Sequence, residues 1–109
     1  DNGLQKINEI SIPPRPEDFR LVFHLYIVFA KDRDGLLKYC LDKGIDAKIH
    51  YPIPIYKQSA LDYLGYKDGD FPVTDEHVEK IITFPCDQHL EQEQLDYIIS
   101  MVAEYYAKK

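Results

Sequence analysis

The sequence predicts an α+β domain: a small, mostly antiparallel sheet of about three strands with helices packed on one face. Three stretches carry that prediction. Leu21 to Ala30 (LVFHLYIVFA) is apolar, aromatic or β-branched almost throughout, too continuous for a one-faced helix, and reads as a central strand covered on both faces. Leu36, Leu37, Cys40 and Leu41 fall on one helical face, and Leu95, Ile98, Ile99, Val102 and Tyr106 recur at spacings of three and four.

Taken in order, residues 1–20 form an extended lead-in, because Pro13, Pro14 and Pro16 remove backbone donors and bias their predecessors away from helix. Residues 21–109 form the single folded domain. After the strand at Leu21 to Ala30, Asp32 is a suitable N-cap for the first helix and Gly44 a suitable left-handed stop. Ile45 to His50 alternates, with Ile45, Ala47 and Ile49 on one side and Asp46, Lys48 and His50 on the other, as in a half-buried strand. Tyr51-Pro52-Ile53-Pro54-Ile55-Tyr56 is a rigid loop with aromatic ends, since prolines at alternate positions would delete donors on one strand edge. Lys57 to Leu64 reads as a short helix and Gly65 to Asp70 (GYKDGD) as a turn. Thr74 is positioned to cap a helix over Asp75 to Lys80, Ile81 to Phe84 is a short strand stopped by Pro85, and a long helix runs from Glu91 onward to pack on the sheet.

A length of 109 residues makes one core, with no inter-domain cleft of its own. The 45% hydrophobic content, with 9 Tyr and 5 Phe, is enough to fill it. Lys and Arg total 13 against 19 Asp and Glu, a formal net charge of -6, which disfavours nucleic acid and anionic membrane surfaces as partners. The longest apolar run is far below the roughly 20 residues of a membrane span, and no signal-peptide pattern opens the chain, so a cytoplasmic address is expected. Two cysteines are too few for a disulfide scaffold and read as reduced thiols. The only Met is Met101, which suggests a processed chain or a piece of a longer one.

No closed metal site is expected, because Cys86 and His89 are the only close pair of potential ligands and no C-x-x-C or H-E-x-x-H spacing occurs. His24, inside the apolar run, reads as a hydrogen-bonded core residue. Cys40 lies on the apolar face of a helix, a poor setting for a nucleophile; Cys86, in a loop before Asp87 and His89, is the better placed thiol. G-x-G-x-x-G, Walker A and G-x-S-x-G are all missing. The acidic run Asp87 to Asp96 suits a solvated helix start, where carboxylates meet the positive end of the dipole.

The most informative segment is Ile49 to Gln58, IHYPIPIYKQ, which sets an imidazole, two phenols and two prolines between ordered elements. Such a loop holds His50, Tyr51 and Tyr56 in fixed directions at low entropic cost, which makes these three the candidate substrate-binding residues. On the residues alone, a proline-braced turn with packed tyrosines accounts for the segment equally well.

At this loop the chain resembles the C-terminal small domain of the DegT/DnrJ/EryC1/StrS family, sugar-nucleotide aminotransferases that use pyridoxal phosphate (PLP). The matching elements run from about Val22 to Tyr105: FHLYIVFAKDRDGL (Phe23 to Leu36), the Gly44-Ile45 helix exit, IHYPIPIYKQ, FPVTDEH (Phe71 to His77), ITFP (Ile82 to Pro85) and LEQEQLDYII (Leu90 to Ile99). Two positions depart from the family pattern: Ile55-Tyr56 follow the second proline where His is common, and Glu91 opens the last helix where Thr is common.

The resemblance implies a fold-type I small domain within a longer protein that transfers an amino group, commonly from glutamate, to a nucleotide-linked keto-deoxysugar in amino-sugar or cell-surface polysaccharide biosynthesis. It implies PLP in the parent protein, held by an N-terminal domain that carries the Schiff-base lysine, and a homodimer with shared active sites. By the same resemblance this chain holds no catalytic or cofactor-binding residue and is inactive alone, while His50 and Tyr51 reach the nucleotide-sugar substrate. An excised small domain would also expose the apolar surface that faces the large domain, with Tyr51, Tyr56, Tyr63 and Tyr66 as candidates. Two other readings compete: a free-standing α+β small-molecule-sensing or interaction module, and a PLP-binding regulator.

Overall fold

A computed structural model of the chain describes residues 1–108. Its sheet has three antiparallel strands in the order β1 (Ile10–Ser11), β2 (Tyr26–Ala30), β3 (Ile81–Phe84). The register sets Ile10 opposite Ala30, Val28 opposite Ile82 and Tyr26 opposite Phe84, so these residues share one face. That face is the core side: Val28, Ala30, Ile82 and Phe84 are buried with Leu36 and Cys40 of α1 (Arg33–Asp42) and Ile98 and Val102 of α3 (Gln92–Ala107).

The central position of the long apolar run is as expected, but the strand occupies only its second half. Leu21, Val22 and Phe23 stay exposed ahead of β2, Val22 at 84%. His24, expected in the core, is exposed with them. Periodicity could not locate that boundary, because a continuous apolar run looks the same whether or not a partner strand lies alongside. The lead-in also differs from its extended reading. Leu4–Lys6 forms a 3-10 turn, Ile10–Ser11 forms the edge strand, and Leu4 and Ile10 are buried in the core.

Helix α1 begins after Asp32, which adopts left-handed angles (φ 48, ψ 50) and caps through its backbone: Leu36 N–H donates to its carbonyl at 3.0 Å. The Asp32 carboxylate instead accepts from the Tyr105 hydroxyl at 2.6 Å, tying the end of α3 to the start of α1. At the other end Gly44 (φ 76) is the left-handed residue, Ile45 N–H reaches the Cys40 carbonyl at 2.9 Å and Gly44 N–H the Leu41 carbonyl at 3.0 Å, the paired bonds of a Schellman stop. Leu37 packs against the core, while Leu41, expected on the buried face, is exposed.

After Gly44 the alternation holds but the ladder does not. Ile45 and Ala47 are buried and Asp46 and Lys48 exposed, yet only Lys48 pairs, in a single antiparallel bridge with Thr83. Lys57 to Leu64 is 3-10 rather than α-helical, over Ser59–Leu64, with a separate turn at Ile55–Lys57. Helix α2 (Pro72–Lys80) starts earlier than expected, after Phe71, because Pro72 at the first helical position needs no N–H partner. Helix α3 opens at Glu91 with a capping box, the Glu91 N–H donating to Gln94 Oε1 at 2.9 Å. Among the described residues no helix is long and apolar enough to cross a membrane.

Candidate functional site

Helices α1 and α3 seal one face of the sheet; the candidate site lies towards the other. Side chains alternate along β3, so with Ile82 and Phe84 in the core, Thr83 points to the opposite face. The Lys48–Thr83 bridge closes with two backbone bonds, Lys48 N–H to Thr83 at 3.0 Å and Thr83 N–H to Lys48 at 2.8 Å, and fixes the start of the loop. Two residues on, His50 projects to the same face as Lys48, and its Nδ1 lies 3.0 Å from Thr83 Oγ1. The His50–Tyr51 peptide is cis, and the two rings meet edge-on at 5.3 Å. Tyr51 is 67% exposed. A small cavity of about 150 Å³ opens beside His50 and Thr83, bounded also by His24, Lys48, Pro85 and Cys86 among others. Lys48 contributes a cation at its rim, paired with Asp46 at 2.8 Å.

Tyr56 does something different from His50 and Tyr51. It is buried, packs on Phe71 at 4.8 Å and on Tyr66 edge-on at 6.4 Å, and its hydroxyl donates to Asp75 Oδ1 at 2.5 Å. Asp75 also takes Lys57 Nζ at 3.2 Å and Gly69 N–H at 3.2 Å, while Lys57 bridges to Asp68 at 3.0 Å. The Tyr56 hydrogen bond holds the Asp75 carboxyl below its ordinary range against the opposing effect of burial, and Lys57 and the Gly69 N–H add to it. Burial pushes the Tyr56 phenol up, and the Asp68 carboxylate raises the Lys57 ammonium. The group fastens the far end of the loop to the first turns of α2. The sequence carried no signal for it, because Tyr56, Lys57, Asp68 and Asp75 are joined only by the turn at Gly65 to Asp70.

The apolar surface expected of the tyrosines is present in part: Tyr51, Tyr63 at 81% and Tyr66 are exposed with Ile53, Ile55, Leu64 and Val73, whereas Tyr56 is not. Of the two thiols, Cys86 is exposed; Cys40 is buried and its thiol pushed up to about 11, far from a nucleophile. Every described lysine is exposed, so none occupies the closed, desolvated setting of a Schiff-base lysine. These lysines do not fit a PLP anchor. A second, larger cavity of about 670 Å³ lies between the N-terminal turn, the end of β3 and the start of α3, with Asp1, Tyr26, Cys86, Leu90 and Ile99 on its walls.

The model of the DegT/DnrJ/EryC1/StrS aminotransferase family matches residues 1–103. Among curated proteins, the chain is 30% identical over 103 residues to the pleiotropic regulatory protein of Geobacillus stearothermophilus, covering 94% of this chain and 28% of that one. It is 29% identical over 104 residues to the dTDP-3-amino-3,4,6-trideoxy-alpha-D-glucose transaminase of Streptomyces venezuelae, covering 95% and 27%. Among solved structures, DesV of S. venezuelae in complex with a ketimine intermediate superposes with a TM-score of 0.90 at 29% identity, over 99% of this chain and 29% of that one. The chain therefore spans little more than a quarter of the length of these relatives.

Proposed function

This chain belongs to the DegT/DnrJ/EryC1/StrS aminotransferase family, and from that premise we propose that it is the C-terminal small domain of a longer, PLP-dependent sugar aminotransferase of the cytoplasm. The parent transfers an amino group from an amino acid, glutamate, to a nucleotide-linked keto-deoxysugar destined for cell-surface polysaccharide or amino-sugar biosynthesis. The observation that carries the reading is the near-complete superposition of this chain on 29% of DesV in complex with a ketimine intermediate. PLP supplies the electron sink when bound, and that chemistry belongs to the remainder of the parent. The chain alone is inactive.

The residues described here act on the substrate side. His50, on the wall of the small cavity, and the exposed phenol of Tyr51 next to it in sequence contact the nucleotide-sugar. Tyr56, with its hydroxyl committed to Asp75, keeps the loop that carries them in place. The exposed apolar residues from Ile53 to Val73 suit docking to the N-terminal PLP-binding domain, in a parent that works as a homodimer with shared active sites. In the intact protein, His50→Ala and Tyr51→Phe are expected to lower kcat/KM for the keto-sugar at least tenfold while leaving spectroscopic PLP binding intact. Unchanged kcat/KM in both variants would refute the contact.

The relative named as a pleiotropic regulatory protein favours a second reading, in which the parent regulates rather than catalyses. Turnover of a nucleotide-linked keto-sugar by the intact protein decides between them, because a regulator would bind without transferring nitrogen.

A further inference from the structure

A neutral imidazole offers one N–H donor and one lone pair on different edges of the ring, so His50 can recognise a ligand directionally only if its tautomer is fixed. Thr83 is built to fix it. Its backbone is bonded to Lys48 in both directions at 2.8 and 3.0 Å, Ile27 of β2 flanks it on the other side, and its side chain is buried. Its hydroxyl lies 3.0 Å from His50 Nδ1, and among the described residues it has no other hydrogen-bond partner. A buried hydroxyl with a single partner is satisfied as a donor only where that partner can accept, and Nδ1 accepts only when the ring proton sits on Nε2.

We infer that Thr83 is a positioning residue: its hydroxyl donates to Nδ1 of His50, holds the neutral ring as the Nε2–H tautomer, and so makes Nε2 a hydrogen-bond donor to the ligand. The group recognised is an acceptor oxygen, for which the anionic oxygens of a diphosphate are the strongest match and a sugar carbonyl or hydroxyl oxygen the alternative source. In this state His50 is not a base towards a ligand hydroxyl, since the lone pair is occupied by Thr83. Nε2 has no partner among the described residues. The inference rests on the proposed contact between His50 and the substrate.

The test reads the ring directly. In the 109-residue chain with ¹⁵N-labelled histidines, long-range proton–nitrogen correlation at alkaline pH, assigned with His50→Gln, is expected to show Nε2 protonated and Nδ1 as a hydrogen-bonded acceptor. Thr83→Ser keeps that pattern, and Thr83→Val moves Nδ1 towards the free-imine position. A wild-type ring protonated at Nδ1 overturns the inference, as does a Thr83→Val spectrum with Nδ1 unmoved; the wild-type reading stands even if Thr83→Val fails to fold. In the intact parent, kcat/KM falls about tenfold in Thr83→Val and recovers in Thr83→Ser. Adding free pyrophosphate to the chain shifts the Nε2–H signal if the oxygen is a phosphate's, and leaves it in place if it is the sugar's. Nδ1 responding as expected while kcat/KM is unchanged in both Thr83→Val and His50→Gln would leave Thr83's hold on the ring standing and refute the substrate contact.

Discussion

The two halves of the middle of this chain are held together by different forces. From Val28 to Ala47 seven residues are buried, among them Leu36 and Cys40 at 0% exposure, and the sheet and both long helices meet there. From Tyr51 to Lys80, a longer stretch, only Pro54 and Tyr56 are buried. What fastens this second region is a single polar cluster, Tyr56, Lys57, Asp68 and Asp75, with the Tyr56 ring meeting Phe71 and Tyr66 at tilted and edge-on angles. The first region stabilises itself by removing apolar surface from water. The second keeps much of its apolar surface exposed and depends on directional bonds, which suits a surface completed by further protein on one side and by a ligand on the other.

The sharpest way to separate the regions is to break each in turn. Leu36→Ala removes a fully buried side chain between helix and sheet and should lower unfolding stability by about 3 kcal/mol, read as a shift in the urea midpoint of the whole chain. Asp75→Asn should leave that midpoint nearly unchanged and speed amide exchange across 55–71, because it removes the charge that holds Lys57 and turns one of the two oxygens that accept from Tyr56 and Gly69 into a donor. Acid should mimic it. The Asp75 carboxyl is depressed in the folded chain, so its contribution is present above the unfolded value of 3.8 and is lost as pH falls through the lower folded value. The Tyr56 ring signals should therefore hold from neutral pH down to about pH 4 and change only below it. Movement between pH 5 and 7 would point to another group.

The same contrast explains what could be read from the residues beforehand. Where burial decides, periodicity suffices: the stripe through Leu36 and Cys40, the alternation of Ile45 and Ala47, the strand at Ile81 to Phe84 and the long last helix all appear in the folded chain. It fails where pairing rather than hydrophobicity sets the outcome. Leu21 to Phe23 have no strand alongside, and Ile10 has one although prolines follow it closely. In the candidate site, His50 and Tyr51 stood out as polar residues in a proline-rich loop. Thr83 did not, because a threonine in a β-rich run looks like any strand residue until the Lys48 bridge brings His50 beside it. Tyr56 stood out as an aromatic end of the loop, which says that a ring is there and not which way it faces; its hydroxyl turns to Asp75.

Hydrogen exchange on the isolated chain and on the intact parent, with and without nucleotide-sugar, tests most directly the claim that the second region is completed from outside. Protection in 51–73 should rise in the parent and rise again at His50 and Tyr51 with ligand, while the amides of β2, α1 and α3 stay as slow as in the chain alone. Equal exchange of 51–73 in all three states would contradict the account and leave the exposed loop as surface and nothing more.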